Sequence, residues 1–114
     1  MTDTIFGKIA RGEIPVEPVY EDEEIVAFRD INPQAPVHIL VIPRKSIPTL
    51  NDAGPEDAEI LGRLLLAAAR VARLAGIADS GYRTVVNCNA AAGQTVFHLH
   101  LHVIGGRPLQ WPPG

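Results

Sequence analysis

Three of the four histidines in this 114-residue chain fall within seven residues, at strict alternation with apolar residues. They are His98, His100 and His102. Alternate side chains of a β-strand share one face, so residues 97–103 predict a row of imidazoles backed by an apolar row. The apolar row comprises Phe97, Leu99, Leu101 and Val103. Imidazole suits proton transfer, nucleophilic attack or metal ligation near neutral pH, so the segment predicts a reactive or ligand-binding site.

Metal binding is one interpretation of this pattern, with His38 as a third imidazole ligand. Against it, no cysteine pair and no acidic residue lies near the histidine strand in the sequence. His98 and His102 would also lie roughly 13 Å apart along a strand. A purely surface role is disfavoured, because β-propensity does not select three alternating histidines. Nucleophilic and acid–base catalysis without a metal is therefore our prediction.

The residues before the histidines indicate an anionic substrate. Residues 92–95 offer small side chains, backbone N–H groups and the Thr95 hydroxyl, and such a loop can approach an anion closely. By itself such a loop is a weak indication of phosphate binding, but its position directly before the histidines strengthens that interpretation. For Asp30, Asn87 and Thr95 taken singly, a turn or capping role is equally open.

Composition narrows the class of protein. A net charge of -3 and a pI near 5.7 argue against a general nucleic-acid binder, which usually carries a basic stripe. The single cysteine, Cys88, cannot form an internal disulfide and fits a reducing compartment. The first residues do not resemble a signal peptide, and the longest apolar run is too short to cross a bilayer. We expect one cytoplasmic domain over residues 1–114.

Periodicity predicts an α+β domain with five antiparallel strands, one short helix and one long helix. Thr2, Asp3 or Thr4 could cap the short helix. Strands are expected at 19–21, 25–29, 38–42, 82–87 and 97–103, and the long helix at 55–75. The apolar stripe of the long helix is wider than one sheet face requires. Deep burial and contact with a partner subunit both explain that width.

Several segments together resemble a known family. Residues 98–103 match the alternating pattern of the histidine-triad (HIT) superfamily, and residues 4–9, 30–38, 41–43, 81–83 and 93–97 support the likeness. The terminal Trp111-Pro112-Pro113-Gly114 is similar to the Hint branch, the purine nucleoside phosphoramidases, rather than to the diadenosine-polyphosphate hydrolase branch. Thr95 stands where the Hint pattern usually has serine.

The resemblance implies roles for individual residues. His100 would be the nucleophile, His102 would contact the phosphate, and His98 and His38 would complete the imidazole network. Thr95 would lie beside the leaving group. The implied nucleotide-binding residues are Asp30 for the ribose, Asn87 and the backbone of Gly93 and Gln94, with Thr95, His100 and His102, for the phosphate, and Ile5, Phe6, Ile9, Phe28 and Ile31 for the base.

The resemblance also implies an assembly and a reaction. Two copies of a HIT-like fold would join through the long helix and the strand at 82–87 into a ten-stranded sheet. The tail, residues 105–114, would reach toward the partner and place Trp111 on the leaving-group side. The reaction would release AMP or GMP and an amine from purine nucleoside 5′-phosphoramidates such as adenosine phosphoramidate or aminoacyl-AMP-type substrates. It would pass through a nucleotidyl-histidine, with no cofactor, metal, nucleic acid or membrane involved.

Two alternatives stay open. The chain could be a dinucleoside polyphosphate hydrolase or nucleotidyl transferase of the same superfamily. It could also be a nucleotide-binding scaffold dimer whose catalysis is incidental. The complete set of four histidines favours an enzyme, since a scaffold has no need of a nucleophile.

Overall fold

The structure is a computed structural model that describes residues 3–114, so Thr2, one of the three predicted caps, lies outside the described residues. The elements in chain order are α1 (Ile5–Ala10), β1 (Pro18–Glu21), β2 (Ile25–Arg29), β3 (Val37–Pro43), α2 (Ala58–Leu74), β4 (Tyr82–Val85) and β5 (Leu101–Gly105). Short 3₁₀ turns occur at Leu50–Asp52, Pro55–Asp57 and Ala90–Ala92.

The five strands form one antiparallel sheet in the order β1-β2-β3-β5-β4. This confirms the predicted α+β class and the five-stranded antiparallel sheet. The strand β3 lies at the centre, as its near-continuous apolar character predicts, and β5 pairs with it from Val37↔Gly105 to Val41↔Leu101. The chemistry-bearing residues of β3 and β5 are therefore held side by side.

The two faces of the sheet have separate cores. On one face α2 covers a large aliphatic cluster that includes Ile39, Val71 and Val103. On the other face a smaller cluster around Phe28 and Leu40 packs beside α1. Because alternate residues of a strand face opposite ways, β2 and β3 serve the large core with one set and leave the other set beside α1.

Local sequence signals explain both helices. Thr4 caps α1, since its hydroxyl accepts a hydrogen bond from the Gly7 N–H at 2.9 Å. The 3₁₀ turn at Pro55–Asp57 leads into α2, and Gly76, with a φ of 77°, follows its end. Part of the wide apolar stripe of α2 is exposed within one copy, namely Leu65, Leu66 and Leu74.

The histidine strand is shorter than predicted. Regular pairing begins at Leu101, so His98 and His100 lie just before β5 rather than inside it. The Leu99 N–H donates to the Ile47 oxygen at 2.6 Å instead of to the sheet, and continuing the register would set Leu99 opposite Pro43, which has no N–H to donate. Leu99, Leu101 and Val103 are buried against α2 as expected, whereas Phe97 is 46% exposed.

The strand β4 lies at one edge of the sheet and ends two residues earlier than predicted, at Val85. After β5 the chain continues without regular structure, as expected, and Trp111 is 81% exposed. Among residues 3–114, no helix combines the length and the apolar character that crossing a membrane requires.

Candidate active site

A cavity of about 940 Å³ opens beside α1, within the size range of small-molecule sites. Its wall combines many apolar side chains with a few polar ones. The lining residues that sequence reasoning had already selected are Ile5, Phe6, Ile9, Phe28, Asp30, Ile31, Thr95, His100 and His102. The structure therefore brings nine of the predicted residues together around one space.

His100 lies in this wall with its ring orientation fixed. Its Nδ1 is 2.7 Å from the backbone oxygen of His98. A carbonyl oxygen can only accept, so Nδ1 carries a proton and the neutral ring keeps a lone pair on Nε2. Burial lowers the pKa of His100 below its ordinary value, which favours this neutral form. The ring of Phe6 stands edge-on to the imidazole at 5.0 Å between centroids.

His102 and His38 form a second, connected pair. His102 Nδ1 and His38 Nε2 are 2.8 Å apart, while His38 Nδ1 accepts from the Gln34 N–H at 3.0 Å. A nitrogen that accepts from an N–H is unprotonated, so neutral His38 carries its proton on Nε2 and donates it to His102. By the same rule neutral His102 carries its proton on Nε2.

Burial is the main cause that lowers the pKa of His102, to about 4, and the neighbouring His100 and His38 add to the effect. Its ring lies 5.0 Å from that of His100 between centroids. His100 and His102, which line the cavity, are therefore both uncharged near neutral pH. His100 has an unprotonated Nε2, whereas His102 carries a proton on Nε2.

His98 departs from the expected imidazole network. Its ring is almost fully buried, does not line the cavity and lies 2.7 Å, through Nε2, from the Pro43 oxygen. The opposite nitrogen, Nδ1, has no hydrogen-bond partner among the described residues. What His98 supplies to the site is its backbone carbonyl, which orients His100.

Asp30 lies where β2 ends and the loop to β3 begins. One carboxylate oxygen accepts from the Asn32 N–H at 2.9 Å, and the other lies 3.4 Å from His38 Nε2. The carboxylate is partly exposed and lines the cavity, so it remains accessible to a ligand.

The loop before the histidines is folded more tightly than expected. The N–H groups of Gly93 and Gln94, assigned to phosphate from the sequence, already donate to Ala90 and Asn89 oxygens at 2.9 and 3.2 Å. In the part of the chain that the structure describes, the N–H groups of Thr95 and Val96 make no such bond, and both residues line the cavity. The free donors therefore lie one to two residues further along.

Gln94 instead stabilises this loop through its buried side chain. Its oxygen accepts from the Asn89 N–H at 2.8 Å, and its amide nitrogen donates to the oxygens of Pro48 and Val96 at 3.0 and 3.1 Å. Three bonds from one buried amide hold the loop against the body of the domain. Gln94 therefore shapes the site without facing it.

Two other predicted residues lie outside the cavity wall. Asn87 follows β4 and is partly buried, and Trp111 is exposed within the single chain. The Gln110 oxygen accepts from Arg83 at 3.0 Å, which holds the tail near β4. In one copy of the chain the tail does not reach the cavity.

Sequence reasoning missed part of the apolar wall. Leu40 lines the cavity and pairs with Phe28 across β2 and β3, so the pairing of two strands could have identified it. Ile14 and Val16 also line the cavity and pack beside the Phe28 cluster. They lie in an irregular, proline-rich segment, where side-chain direction has no simple period.

Among the described residues, one group of three side chains could in principle hold a metal ion. It comprises Asp30, His38 and His102, whose ligand atoms lie within 4.8 Å of one another. The two nitrogens, however, are at hydrogen-bond distance, 2.8 Å. Two imidazoles on one tetrahedral zinc, each bonded at about 2.0–2.1 Å, would stand about 3.3 Å apart. As arranged, the pair fits a shared proton better than a shared ion.

Comparison with known proteins agrees with this geometry. The family model described as the HIT domain matches residues 11–109. A protein of Synechocystis sp. named only as HIT-like is 60% identical over 98% of this chain and 97% of its own. The purine nucleoside phosphoramidase of Escherichia coli K12 is 53% identical, covering 94% of this chain and 90% of its own length.

Solved structures give the same result. A HIT family hydrolase from Legionella pneumophila superposes with a TM-score of 0.95 at 51% identity, covering 98% of this chain and all of the other. A HIT family hydrolase from Clostridium thermocellum gives 0.91 at 45%, with 96% of each chain covered. From its histidine arrangement, its fold and these relatives, the chain belongs to the HIT domain family.

Proposed function

We propose that this protein hydrolyses the P–N bond of purine nucleoside 5′-phosphoramidates, with His100 as the nucleophile. The observation that carries the proposal is the bond from His100 Nδ1 to the His98 oxygen, which leaves the Nε2 lone pair in a neutral ring on the cavity wall. The E. coli relative at 53% identity bears the name of this activity, and structural relatives are named hydrolases.

The first step forms a bond from His100 Nε2 to the α-phosphorus and breaks the bond from phosphorus to nitrogen. The departing nitrogen takes the bonding pair and needs one proton to leave as an amine. The ring becomes cationic on attack, and its Nδ1–H still donates to the His98 oxygen, which stabilises that charge. A phosphoryl group on a cationic imidazole is an activated intermediate.

The second step breaks the bond between His100 and phosphorus. Water adds its hydroxyl to phosphorus, the electron pair returns to Nε2, and the released proton replaces the one given to the amine. The products are a nucleoside monophosphate and a free amine, and His100 regains its starting form.

His102 supports the phosphate in this scheme. The chain of bonds from Gln34 through His38 leaves a proton on His102 Nε2. Its ring lies beside that of His100 in the cavity wall, so we expect this N–H to donate to a phosphate oxygen. A neutral donor suits the role, since the low pKa of His102 keeps its ring uncharged near pH 7.

Thr95 and Val96 provide the other phosphate contacts. Their backbone N–H groups are free of other bonds among the described residues, and the Thr95 hydroxyl lies at the same wall. That hydroxyl is our candidate to pass a proton to the leaving nitrogen. Because threonine carries a methyl group that serine lacks, bulky amines should be accepted less well here.

The apolar part of the cavity forms a slot for the base. Phe6 and Phe28 stand edge to face with centroids 5.7 Å apart, and Ile9 lies in the same cluster. A flat purine covers more of such a surface than a pyrimidine. We expect Asp30, which follows β2 and lines the cavity, to accept from the ribose hydroxyls.

A homodimer is part of the proposal. Among residues 3–114 of one copy, β4 leaves its outer edge unpaired, and the exposed apolar residues on α2 and β4 include Leu65, Leu66 and Tyr82. A second copy would cover this surface and extend the sheet to ten strands. The exposed Trp111 would then lie against the partner.

The test compares two reactions of the purified protein and measures its binding of AMP. We expect turnover of adenosine 5′-phosphoramidate to exceed that of diadenosine tetraphosphate by at least an order of magnitude, with AMP and ammonia as products. Faster cleavage of the dinucleotide would favour the polyphosphate hydrolase alternative. AMP binding without turnover of either compound would favour a scaffold, and His100→Ala serves as the inactive control.

A further inference from the structure

We propose that the turn following β5, Gly106 and Arg107, is a positioning element for the histidine pair His38–His102. It would hold the loop between β2 and β3 so that the loop's Gln34 N–H dictates which nitrogen of His38 carries the proton. The expected effect on catalysis rests on the proposed function, whereas the position of the proton on His38 does not depend on it.

The first link is the bond from the Gln34 N–H to His38 Nδ1, at 3.0 Å. It requires an unprotonated Nδ1 and so sends the His38 proton to Nε2, toward His102 Nδ1 at 2.8 Å. If the Gln34 N–H moved away, neutral His38 would be freer to carry its proton on Nδ1. His102 would then face a bare nitrogen and would turn its own proton away from the cavity.

Asp30 also favours the His38 proton on Nε2, because its carboxylate lies 3.4 Å from that nitrogen. The two influences come from the same loop, residues 30–36. The loop also binds itself, because the Gln34 side-chain amide donates to the Asn32 oxygen at 3.0 Å. Its conformation therefore decides the state of His38.

The turn after β5 holds this loop from outside. Arg107 Nη2 donates to the Gln34 oxygen at 3.1 Å, so both backbone groups of Gln34 are engaged. Gly106 has a φ of 91° and lies so near Pro36 that an added Cβ would stand 2.9 Å from the Pro36 Cβ. Glycine is thus required there both by the backbone conformation and by the close approach.

These contacts connect the tail to the reacting groups. Arg107 holds the Gln34 backbone, and the Gln34 N–H sets the tautomer of His38. His38 in turn sets the tautomer of His102, whose ring lines the cavity. Arg107 touches none of the reacting groups in this chain of contacts, which makes it a positioning residue. A displacement of the turn would therefore change which His102 nitrogen carries the proton, and would leave His100 unchanged.

The experiment uses the full chain labelled with ¹⁵N-histidine, and records by NMR which nitrogen of His38 is protonated. We expect Nε2–H in the wild type. Arg107→Met and Gly106→Ala should raise the fraction with the proton on Nδ1 and lower kcat roughly threefold to tenfold, the range for one ordinary hydrogen bond, with little change in KM. Arg107→Lys keeps a donor and should restore much of both.

Arg83→Met is the matched control, since Arg83 also donates to a backbone oxygen but at Gln110 rather than Gln34. It should leave His38 as in the wild type. If the proton of His38 stayed on Nε2 in Arg107→Met, the proposal would be overturned, even if Gly106→Ala failed to fold. It would also be overturned if Arg83→Met moved that proton as much as Arg107→Met does. If the wild type lacked phosphoramidase activity, the NMR result would still decide this inference separately.

Discussion

His98 and His100 are joined through the backbone rather than through their rings: His100 Nδ1 lies 2.7 Å from the His98 oxygen, while the His98 ring faces the Pro43 oxygen at 2.7 Å. Two alternating histidines therefore have different tasks. One exposes a lone pair to the cavity, and the other fixes the carbonyl that orients it.

This division predicts unequal effects of two matched substitutions. His100→Ala removes the proposed nucleophile and should lower kcat on the order of 10³-fold or more. His98→Ala keeps the carbonyl but loosens it, so we expect roughly a tenfold to hundredfold loss, the scale of a misplaced reacting group. Steady-state kinetics of both variants, alongside their AMP affinity, measures the difference.

His98→Ala should also destabilise the fold. It opens a cavity in a buried site and leaves the Pro43 oxygen without its donor, which together suggest a loss of about 2–4 kcal/mol. Urea unfolding measures it. A folded, stable His98→Ala protein as inactive as His100→Ala would mean that the His98 ring itself carries protons.

The buried histidines predict a pH dependence of stability. Burial lowers the pKa of His98, His100 and His102 in the folded state, the last from 6.5 to about 4. Between these pH values the unfolded chain binds protons that the folded chain does not, so stability should fall as pH drops from about 6.5 toward 4. The slope should be on the order of 1 kcal/mol per pH unit for each histidine concerned.

Urea midpoints at several pH values measure this slope, and His102→Asn provides the control. Removing the partly buried His102 imidazole should flatten the curve in that interval. A wild-type stability that rose on acidification over the same range would contradict the assignment of neutral, buried histidines.

Chelation tests the expectation that no metal is required. The 2.8 Å separation of His38 and His102 indicates a hydrogen bond, and the scheme above moves protons without a Lewis acid. Turnover should therefore be unchanged after extended dialysis against EDTA. Activity that disappeared and then returned on adding Zn²⁺ would instead place an ion among Asp30, His38 and His102.

The tail predicts a change of selectivity. Trp111 is 81% exposed in one chain, and a ring of that size is usually covered. Deleting residues 110–114 should alter the preference among amine leaving groups more than the affinity for AMP. The dimer should persist, because α2 and β4 would carry it.

Light scattering and a panel of phosphoramidates with different amines measure these two effects. A full-length monomer at micromolar concentration would contradict the dimer. Identical leaving-group preferences before and after truncation would remove Trp111 from the site.

Much of the fold could be predicted from the sequence because its signals are local. The apolar character of β3, the cap at Thr4 and the long apolar stripe of α2 each depend on neighbouring residues only. The extent of the histidine strand could not be predicted in this way. It depends on residues more than fifty positions away, since the Leu99 N–H donates to the Ile47 oxygen and the sheet register would place Leu99 opposite Pro43.

The site shows the same limit. Phe6, Phe28 and His102, which the family resemblance implies as nucleotide-binding residues, all line the cavity, and their binding roles stay predictions. The inward turn of the Gln94 side chain and the engaged N–H of Gly93 follow from the three-dimensional path of the loop. Alternation alone cannot predict them, because it describes extended strands and this loop is not extended.

The central claim is that His100 Nε2 becomes covalently bonded to the α-phosphorus. Rapid acid-free quenching of the enzyme during turnover of adenosine 5′-phosphoramidate, followed by peptide mass spectrometry, tests it most directly. We predict one AMP adduct, located on His100 and absent from His100→Ala, while His98→Ala still forms it. An adduct on another residue, or full turnover by His100→Ala, would contradict the account.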